Sequence, residues 1–227
     1  MVVAIIQARC NSKRFPNKVM KKINGKPLIE YVYKRIQKSK KIKKIIIACS
    51  SLTSDDPIAN YCNKKKYLLL RGSLNNVLSR YSAVLKKYKL NYFVRITGDS
   101  PCIDPRLIDK AINIFKNKKC DLVTNVNPRS YPKGISVEVI KSQLIYDVEK
   151  KTNITRENKE HITSYFYKKK KNKYNIINFN NNNNYSKYSL AIDTIDDLKR
   201  LKLVLKKNFF LDFTWKQIFK TVYKNEN

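Results

Sequence analysis

Short apolar runs rich in β-branched residues alternate with amphipathic helical patterns over the first 125 residues of the chain. The runs that predict strands cover residues 2–8, 44–49, 67–71, 92–96 and 121–125. Between them, residues 27–38 and 75–87 place apolar side chains at helical spacing, and Asp-Pro pairs at 56–57 and 104–105 are typical helix starts. This order predicts an α/β fold with a mostly parallel central sheet and helices on both faces.

Ligands of such sheets bind beyond the carboxyl ends of the strands. The residues at those ends are therefore the first candidates for a binding site, and they include Arg9, Ser50, Arg71 and Asp99. The loop after the first strand is the most informative, because it combines the cations Arg9, Arg14 and Lys18 with the hydroxyl of Ser12. Such a set is suited to a polyanion, and the polyanion we expect is a nucleoside triphosphate. A solvated basic loop is the alternative.

Asparagine stands in this loop where phosphate-binding loops usually have glycine. The chain has only 4 glycines in 227 residues, and Asn11 and Asn17 occupy the positions where backbone freedom is needed. Asparagine tolerates the left-handed region better than most residues. Neither a Walker motif nor a GxGxxG motif occurs, which argues against a P-loop ATPase and against a dinucleotide-binding protein.

Two aspartates at predicted strand ends are candidates for a metal site. Asp99 follows a glycine at the end of one strand, and Asp193 precedes a helix whose predicted N-cap is Thr194. Carboxylates beside a triphosphate are typical Mg²⁺ ligands, so Asp99 and Asp193 can share one ion. The alternative for each is a helix-capping aspartate, an account that fits Asp104 and Asp196 well.

Composition limits the class of protein. The net charge is +32, from 49 Lys and Arg against 17 Asp and Glu, and a non-enzymatic polyanion-binding protein is one alternative. Lysine dominates and is spread along the chain, without the arginine forks and grouped aromatics of base readers, so no specific nucleic-acid partner is predicted. No apolar run approaches the ~20 residues of a membrane span, and the N-terminus lacks a signal-peptide pattern, so a cytoplasmic location is expected.

Several motifs in a fixed order lie within residues 3–205: segments 6–18, 24–28, 55–57, 71–73, 77–81, 95–99, 131–139 and 160–163, and Asp-Thr-x-x-Asp-Leu at 193–198. Together they resemble the cytidylyltransferases that make CMP-activated sugars. The resemblance is to the branch of spore-coat polysaccharide biosynthesis proteins, which are relatives of CMP-KDO and acylneuraminate synthetases. Several ordered motifs over this length are far more specific than any one of them.

The resemblance implies a nucleotide-diphospho-sugar transferase-like (Rossmann-like) fold and a Mg²⁺-dependent enzyme. This enzyme would transfer CMP from CTP to an ulosonic or related acid sugar, release pyrophosphate and serve surface polysaccharide or glycan synthesis. The implied triphosphate site is Arg9, Ser12, Arg14 and Lys18, with Gln7 and Ala8 beside the nucleoside and Ser50 and Arg71 on the base side. The implied sugar site is Tyr131, Glu138 and His161, the metal ligands are Asp99 and Asp193, and the catalytic residues are Arg14, Lys18 and Asp99. A nucleotidyltransferase with another NTP or acceptor stays open.

Residues 130–185 break the strand–helix alternation. We interpret the chain as a single nucleotidyltransferase domain over residues 1–227, with 130–185 as an inserted subregion for sugar binding and dimer formation. A homodimer is therefore expected.

Overall fold

The predicted alternation of strands and helices is confirmed by a computed structural model that describes residues 1–168, 173–207 and 210–224. The strands are β1 (Val3–Gln7), β2 (Lys22–Ile23), β3 (Lys26–Pro27), β4 (Lys44–Ser50), β5 (Leu68–Gly72), β6 (Tyr92–Thr97), β7 (Leu122–Thr124), β8 (Glu138–Lys141) and β9 (Ile176–Asn178). The helices are α1 (Leu28–Gln37), α2 (Asp56–Lys65), α3 (Val77–Tyr88), α4 (Pro105–Asn117), α5 (Ser142–Glu149), α6 (Arg156–Glu160), α7 (Ser164–Lys168), α8 (Ile195–Leu205) and α9 (Trp215–Val222). Short 3₁₀ helices cover Lys18–Met20, Thr53–Asp55 and Phe210–Asp212.

The central sheet has the strand order β5-β4-β1-β6-β8-β7-β9. Strands β5, β4, β1 and β6 are parallel, so their carboxyl ends meet at one edge. Strand β8 runs antiparallel to β6 and β7, and β7 pairs in parallel with β9. The mostly parallel sheet predicted from the sequence is therefore confirmed, and the four parallel strands present one shared edge for a ligand.

Helices cover both faces of this sheet, as predicted. Side chains alternate along each strand, so Val3 and Ile5 of β1 pack in the apolar cluster that includes α3, α5 and α7. Ala4 and Ile6 point to the opposite face and pack in the cluster that includes α1, α2, α4, α8 and α9. No helix in the described part of the chain is both long and apolar enough to cross a membrane.

Residues 130–185 contribute two strands to the main sheet, because β8 pairs with β6 and β9 pairs with β7. Within this stretch, residues 169–172 lie outside the described residues. The loop before β8 is fixed by Asn125, whose side chain donates to the carbonyl of Ile135 and accepts from the amide of Val137. A role of this stretch in sugar binding or dimer formation stays a prediction.

Candidate active site

The loop after β1 is anchored by a buried carboxylate. Asp55 is fully buried, and its two oxygens accept hydrogen bonds from the amide of Cys10 at 2.6 Å and from the amide of Ser50 at 2.7 Å. One side chain thus ties the start of the loop to the end of β4. Sequence reasoning did not name Asp55 as a site residue, although the Asp-Asp-Pro motif at 55–57 contained the signal.

The backbone of this loop turns at Asn17, which has φ 57° and ψ 20° and whose amide donates to the carbonyl of Cys10 at 2.8 Å. Asn17 therefore adopts the left-handed conformation predicted for it. Asn11 is not among the positive-φ residues of the described chain. The turn at Asn17 leads directly into the 3₁₀ helix that begins at Lys18. It therefore fixes the backbone position from which the Lys18 side chain extends.

Lys18 joins the two predicted metal ligands. Its ammonium group donates to Asp99 Oδ2 at 2.8 Å and to Asp193 Oδ1 at 2.8 Å. The guanidinium of Arg14 lies 3.1 Å from the other oxygen of Asp193. The structure thus brings together Arg14, Lys18, Asp99 and Asp193, which were singled out in three distant segments of the sequence.

The charges of this cluster stabilise one another. Burial by itself lowers the pKa of Lys18, but the charge of Asp99 and the hydrogen bonds to Asp193 and Asp99 outweigh it and raise the pKa above its ordinary value. Burial raises the pKa of Asp193, but Lys18 and Arg14 outweigh that effect and lower it. Both shifts favour the charged forms, so Lys18 and Asp193 stay ionised at neutral pH.

Asp99 is positioned by the close approach of β6 to β1. The amide of Gly98 donates to the carbonyl of Gln7 at 2.8 Å, and a Cβ at residue 98 would lie 3.1 Å from the Cβ of Ala8. The carbonyl of Asp99 in turn accepts from the amide of Ile192 at 3.0 Å, which brings the segment before Asp193 to the same edge. Glycine at 98 therefore favours the close approach of the two strand ends, because a larger residue would crowd Ala8.

The segment that carries Asp193 is held from both sides. On one side, Lys133 bonds through its backbone to Tyr188 at 3.0 Å and to Leu190 at 2.7 Å. On the other side, the N-terminus of α8 has a capping box: Thr194 Oγ1 accepts from the amide of Asp197, and Asp197 Oδ2 accepts from the amides of Thr194 and Asp193. Thr194 as N-cap is thereby confirmed, and the Asp197 carboxylate of the same capping box also holds the backbone of Asp193.

We expect Thr194→Ala to lower the free energy of unfolding by about 1 kcal/mol, the usual effect of losing an N-cap. It should also reduce catalytic activity, because the Thr194 hydroxyl donates to Asp197 Oδ2, the oxygen that accepts from the amide of Asp193. Thr214→Ala is the matched control, since Thr214 forms a second capping box with Gln217 on α9. Denaturant unfolding and turnover are the measurements. Equal activity of the two variants would show that the α8 cap does not position Asp193.

Arg9 and Arg71, two further residues predicted to bind the nucleotide, have partners within the protein. Arg9 pairs with Glu160 at 2.8 Å. Although partial burial alone would raise the pKa of Glu160, the bond to Arg9 lowers it. Arg71 donates to the carbonyls of Ser50 and Leu52 and pairs with Asp56 at 2.7 Å, so it holds the turn after β4.

Four more residues predicted to bind the nucleotide lie at the ends of β1 and β4 or in the loop after β1. Gln7 Oε1 accepts from Arg95 at 3.2 Å. Ala8 is buried and Ser12 is half-buried. The hydroxyl of Ser50 is buried and has no hydrogen-bond partner among the described residues.

The three residues predicted to bind the sugar lie in different surroundings. Glu138 is buried, pairs with Arg95 at 2.5 Å and accepts from the hydroxyl of Tyr167. Tyr131 is buried against the rings of Phe179 and Trp215. His161 is exposed at the end of α6. Sugar binding by Tyr131, Glu138 and His161 stays a prediction.

Comparisons with known proteins point to one family. The model of the family described as cytidylyltransferase matches residues 3–217. The chain is 31% identical over 168 residues to a spore coat polysaccharide biosynthesis protein of Bacillus subtilis, which covers 72% of this chain and 69% of that protein. A solved cytidylyltransferase structure from Leptospira borgpetersenii has a TM-score of 0.92 and 26% identity, and covers 99% of this chain and 94% of its own.

A third similarity concerns an enzyme with a named sugar. The chain is 28% identical over 129 residues to a 3-deoxy-manno-octulosonate cytidylyltransferase of Chlamydia pneumoniae. This match covers 56% of the chain and 50% of the relative, so the chain spans only about half the length of that enzyme.

Proposed function

The chain belongs to the cytidylyltransferase family, and on that premise we propose that it transfers CMP from CTP to an ulosonic or related acid sugar with release of pyrophosphate. The observation that carries the proposal is the cluster in which Lys18 links Asp99 and Asp193 at the carboxyl edge of the parallel strands. This arrangement combines the cation that a triphosphate needs with the carboxylates that a metal needs, at the edge where α/β sheets bind ligands. We infer that the CMP-sugar product is used in the synthesis of a surface polysaccharide.

The proposed reaction is displacement at the α-phosphorus of CTP. A hydroxyl oxygen of the sugar forms the new bond to phosphorus and its proton passes to solvent, while the bond to the bridging oxygen breaks and pyrophosphate leaves with the electron pair. Such transfers depend on positioning and on neutralising charge more than on covalent help from the protein. Arg9, Ser12, Arg14 and Lys18 hold the triphosphate, and Arg14 and Lys18 stabilise the charge that builds up on pyrophosphate. Gln7 and Ala8 lie beside the nucleoside, and Ser50 and Arg71 on the base side.

The carboxylates of the cluster are suited to Mg²⁺. Asp99 and Asp193 already converge on one cationic group, and carboxylate oxygens are the ligands that this hard ion prefers. The described residues contain no group of three or more His, Cys, Asp or Glu side chains suited to a metal, so phosphate oxygens and water would complete the shell. When bound there, Mg²⁺ supplies charge neutralisation at the phosphates.

The acceptor is inferred from the relatives and from charge. One relative is named for 3-deoxy-manno-octulosonate, an acid sugar, and another for spore coat polysaccharide biosynthesis. A net charge of +32 favours the approach of an anionic acceptor and of CTP alike. Tyr131, Glu138 and His161 remain the predicted sugar residues, and a homodimer and a cytoplasmic location remain predictions.

The test is pyrophosphate release by the purified protein with Mg²⁺, each NTP in turn and a panel of ulosonic and amino sugars. We expect release with CTP and one acid sugar, and loss of release when Mg²⁺ is chelated. Faster release with another NTP would identify a different nucleotidyltransferase. If no sugar of the panel gives pyrophosphate release, and unrelated polyanions bind with a strong dependence on salt, the result would instead favour a non-enzymatic polyanion-binding protein.

A further inference from the structure

A buried arginine on α3 has no partner for its guanidinium group. Arg80 is only 1% exposed, and its Nε, Nη1 and Nη2 atoms have no hydrogen-bond partner among the described residues. A buried donor without an acceptor costs free energy, and the cost is larger for a charged group. Arg35, a second fully buried arginine, donates through Nε and Nη1 to the backbone carbonyls of Ile103, Phe210, Leu211 and Phe213, and only its Nη2 has no partner among the described residues.

Arg80 lies against the carboxyl ends of β4 and β5. A Cβ on Gly72 would lie 2.8 Å from the Cγ of Arg80, so glycine at the end of β5 makes room for the arginine stem. Gly72 pairs with Ser50 across the sheet. Since Ile46 and Ala48 of β4 pack in the cluster that includes α3, alternation turns Ser50 to the same face. The unpartnered hydroxyl of Ser50 and the unpartnered guanidinium of Arg80 therefore face the same side of the sheet.

The charge of Arg80 is not neutralised by a direct ion pair among the described residues. Asp55 acts on it electrostatically, but both oxygens of Asp55 already accept from the amides of Cys10 and Ser50. Burial lowers the pKa of Arg80, and an arginine still remains protonated. The result is a buried cation with free donors beside the loop that the triphosphate would occupy.

We propose that Arg80, with Ser50, recognises the cytosine base, an inference that rests on the proposed function. Cytosine presents two adjacent acceptors, O2 and N3, which match the parallel N–H donors of a guanidinium group. Uracil also presents O2, but its N3 carries a hydrogen and cannot accept. A bidentate bond from Arg80 is therefore impossible, because an N–H of the guanidinium would face the N3–H of uracil. The arginine thus selects CTP over UTP.

Arg80→Met tests this proposal. We expect the affinity for CTP to fall about 10- to 100-fold, the range of one bidentate contact, with little change for UTP, so that the preference for CTP is largely lost. The measurement is calorimetric titration of CTP and of UTP with Mg²⁺, which needs no sugar acceptor. The melting temperature should not fall, because methionine fills the stem volume and removes a buried group that has no partner.

Arg35→Met is the matched control, since Arg35 is as deeply buried as Arg80 but has its guanidinium on backbone carbonyls. It should lower the melting temperature and leave the ratio of CTP to UTP affinity unchanged. Equal binding of CTP and UTP by the wild-type protein, or an unchanged ratio in Arg80→Met, would overturn the inference. A wild-type protein that prefers CTP but transfers no CMP to any acceptor would refute the proposed function and leave the role of Arg80 standing.

Discussion

Lys18→Met is expected to lower kcat/KM for CTP-dependent pyrophosphate release by about 10²- to 10³-fold, the range observed when one transition-state donor is removed. The ammonium group of Lys18 is the point where Asp99 and Asp193 converge, and its side chain is 11% exposed. Without it, the negative charge on the leaving pyrophosphate loses its least solvated cation. Methionine keeps most of the apolar stem, so the fold should persist.

Steady-state kinetics and circular dichroism measure the two parts of this prediction. Lys38→Met is the matched control, because Lys38 also bonds to an aspartate, Asp212 at 2.9 Å, but on the surface. It should leave kcat/KM unchanged. An active Lys18→Met protein would show that the cluster serves structure rather than catalysis.

Asp99→Asn is expected to reduce turnover by at least about 10²-fold, since it removes a full charge from the same cluster. The amide can still accept a hydrogen bond from Lys18, so the geometry at the end of β6 is largely kept and the protein should fold. What is lost is the charge that balances Lys18 and, in the proposed function, one of the two carboxylates for Mg²⁺. The dependence of the rate on Mg²⁺ concentration should therefore shift to higher concentrations.

Titration of the rate with Mg²⁺ separates this effect from a loss of stability. Asp212→Asn is the control, because it removes an equivalent charge from the surface pair with Lys38 and should alter neither the rate nor its Mg²⁺ dependence. A non-enzymatic polyanion-binding protein would be indifferent to Asp99→Asn. Full turnover in this variant would refute the role of Asp99 in metal binding.

Local patterns in the sequence were enough to predict the fold. The strands at 2–8 and 44–49, the Asp-Pro helix starts and the cap at Thr194 all depend on side chains that lie close together along the chain. The backbone preference of asparagine was also sufficient to predict the left-handed conformation of Asn17. Such features are determined by steric and hydrogen-bonding rules that act over a few residues.

The partners of the charged side chains could be identified only from the tertiary structure. The sequence pattern predicted a strand before Asp99 and another before Asp193, and the structure has β6 before Asp99 but only an isolated bridge at Ser189 before Asp193. The pattern did not show that Lys18 would bond to both aspartates, because these contacts join residues 81 and 175 positions apart. It also did not show that Glu138, predicted to bind sugar, would pair with Arg95 in the sheet.

The same holds for Asp55 and Arg80. In the sequence, Asp55 is part of an Asp-Asp-Pro helix start, and Arg80 is an arginine on an amphipathic helix. Only packing shows that Asp55 ties the loop after β1 to the end of β4 and that the guanidinium of Arg80 is buried without a hydrogen-bond partner in the part of the chain that the structure describes. The physical reason is that burial and long-range pairing decide the energy of a charged group, and both arise only when distant segments pack against one another.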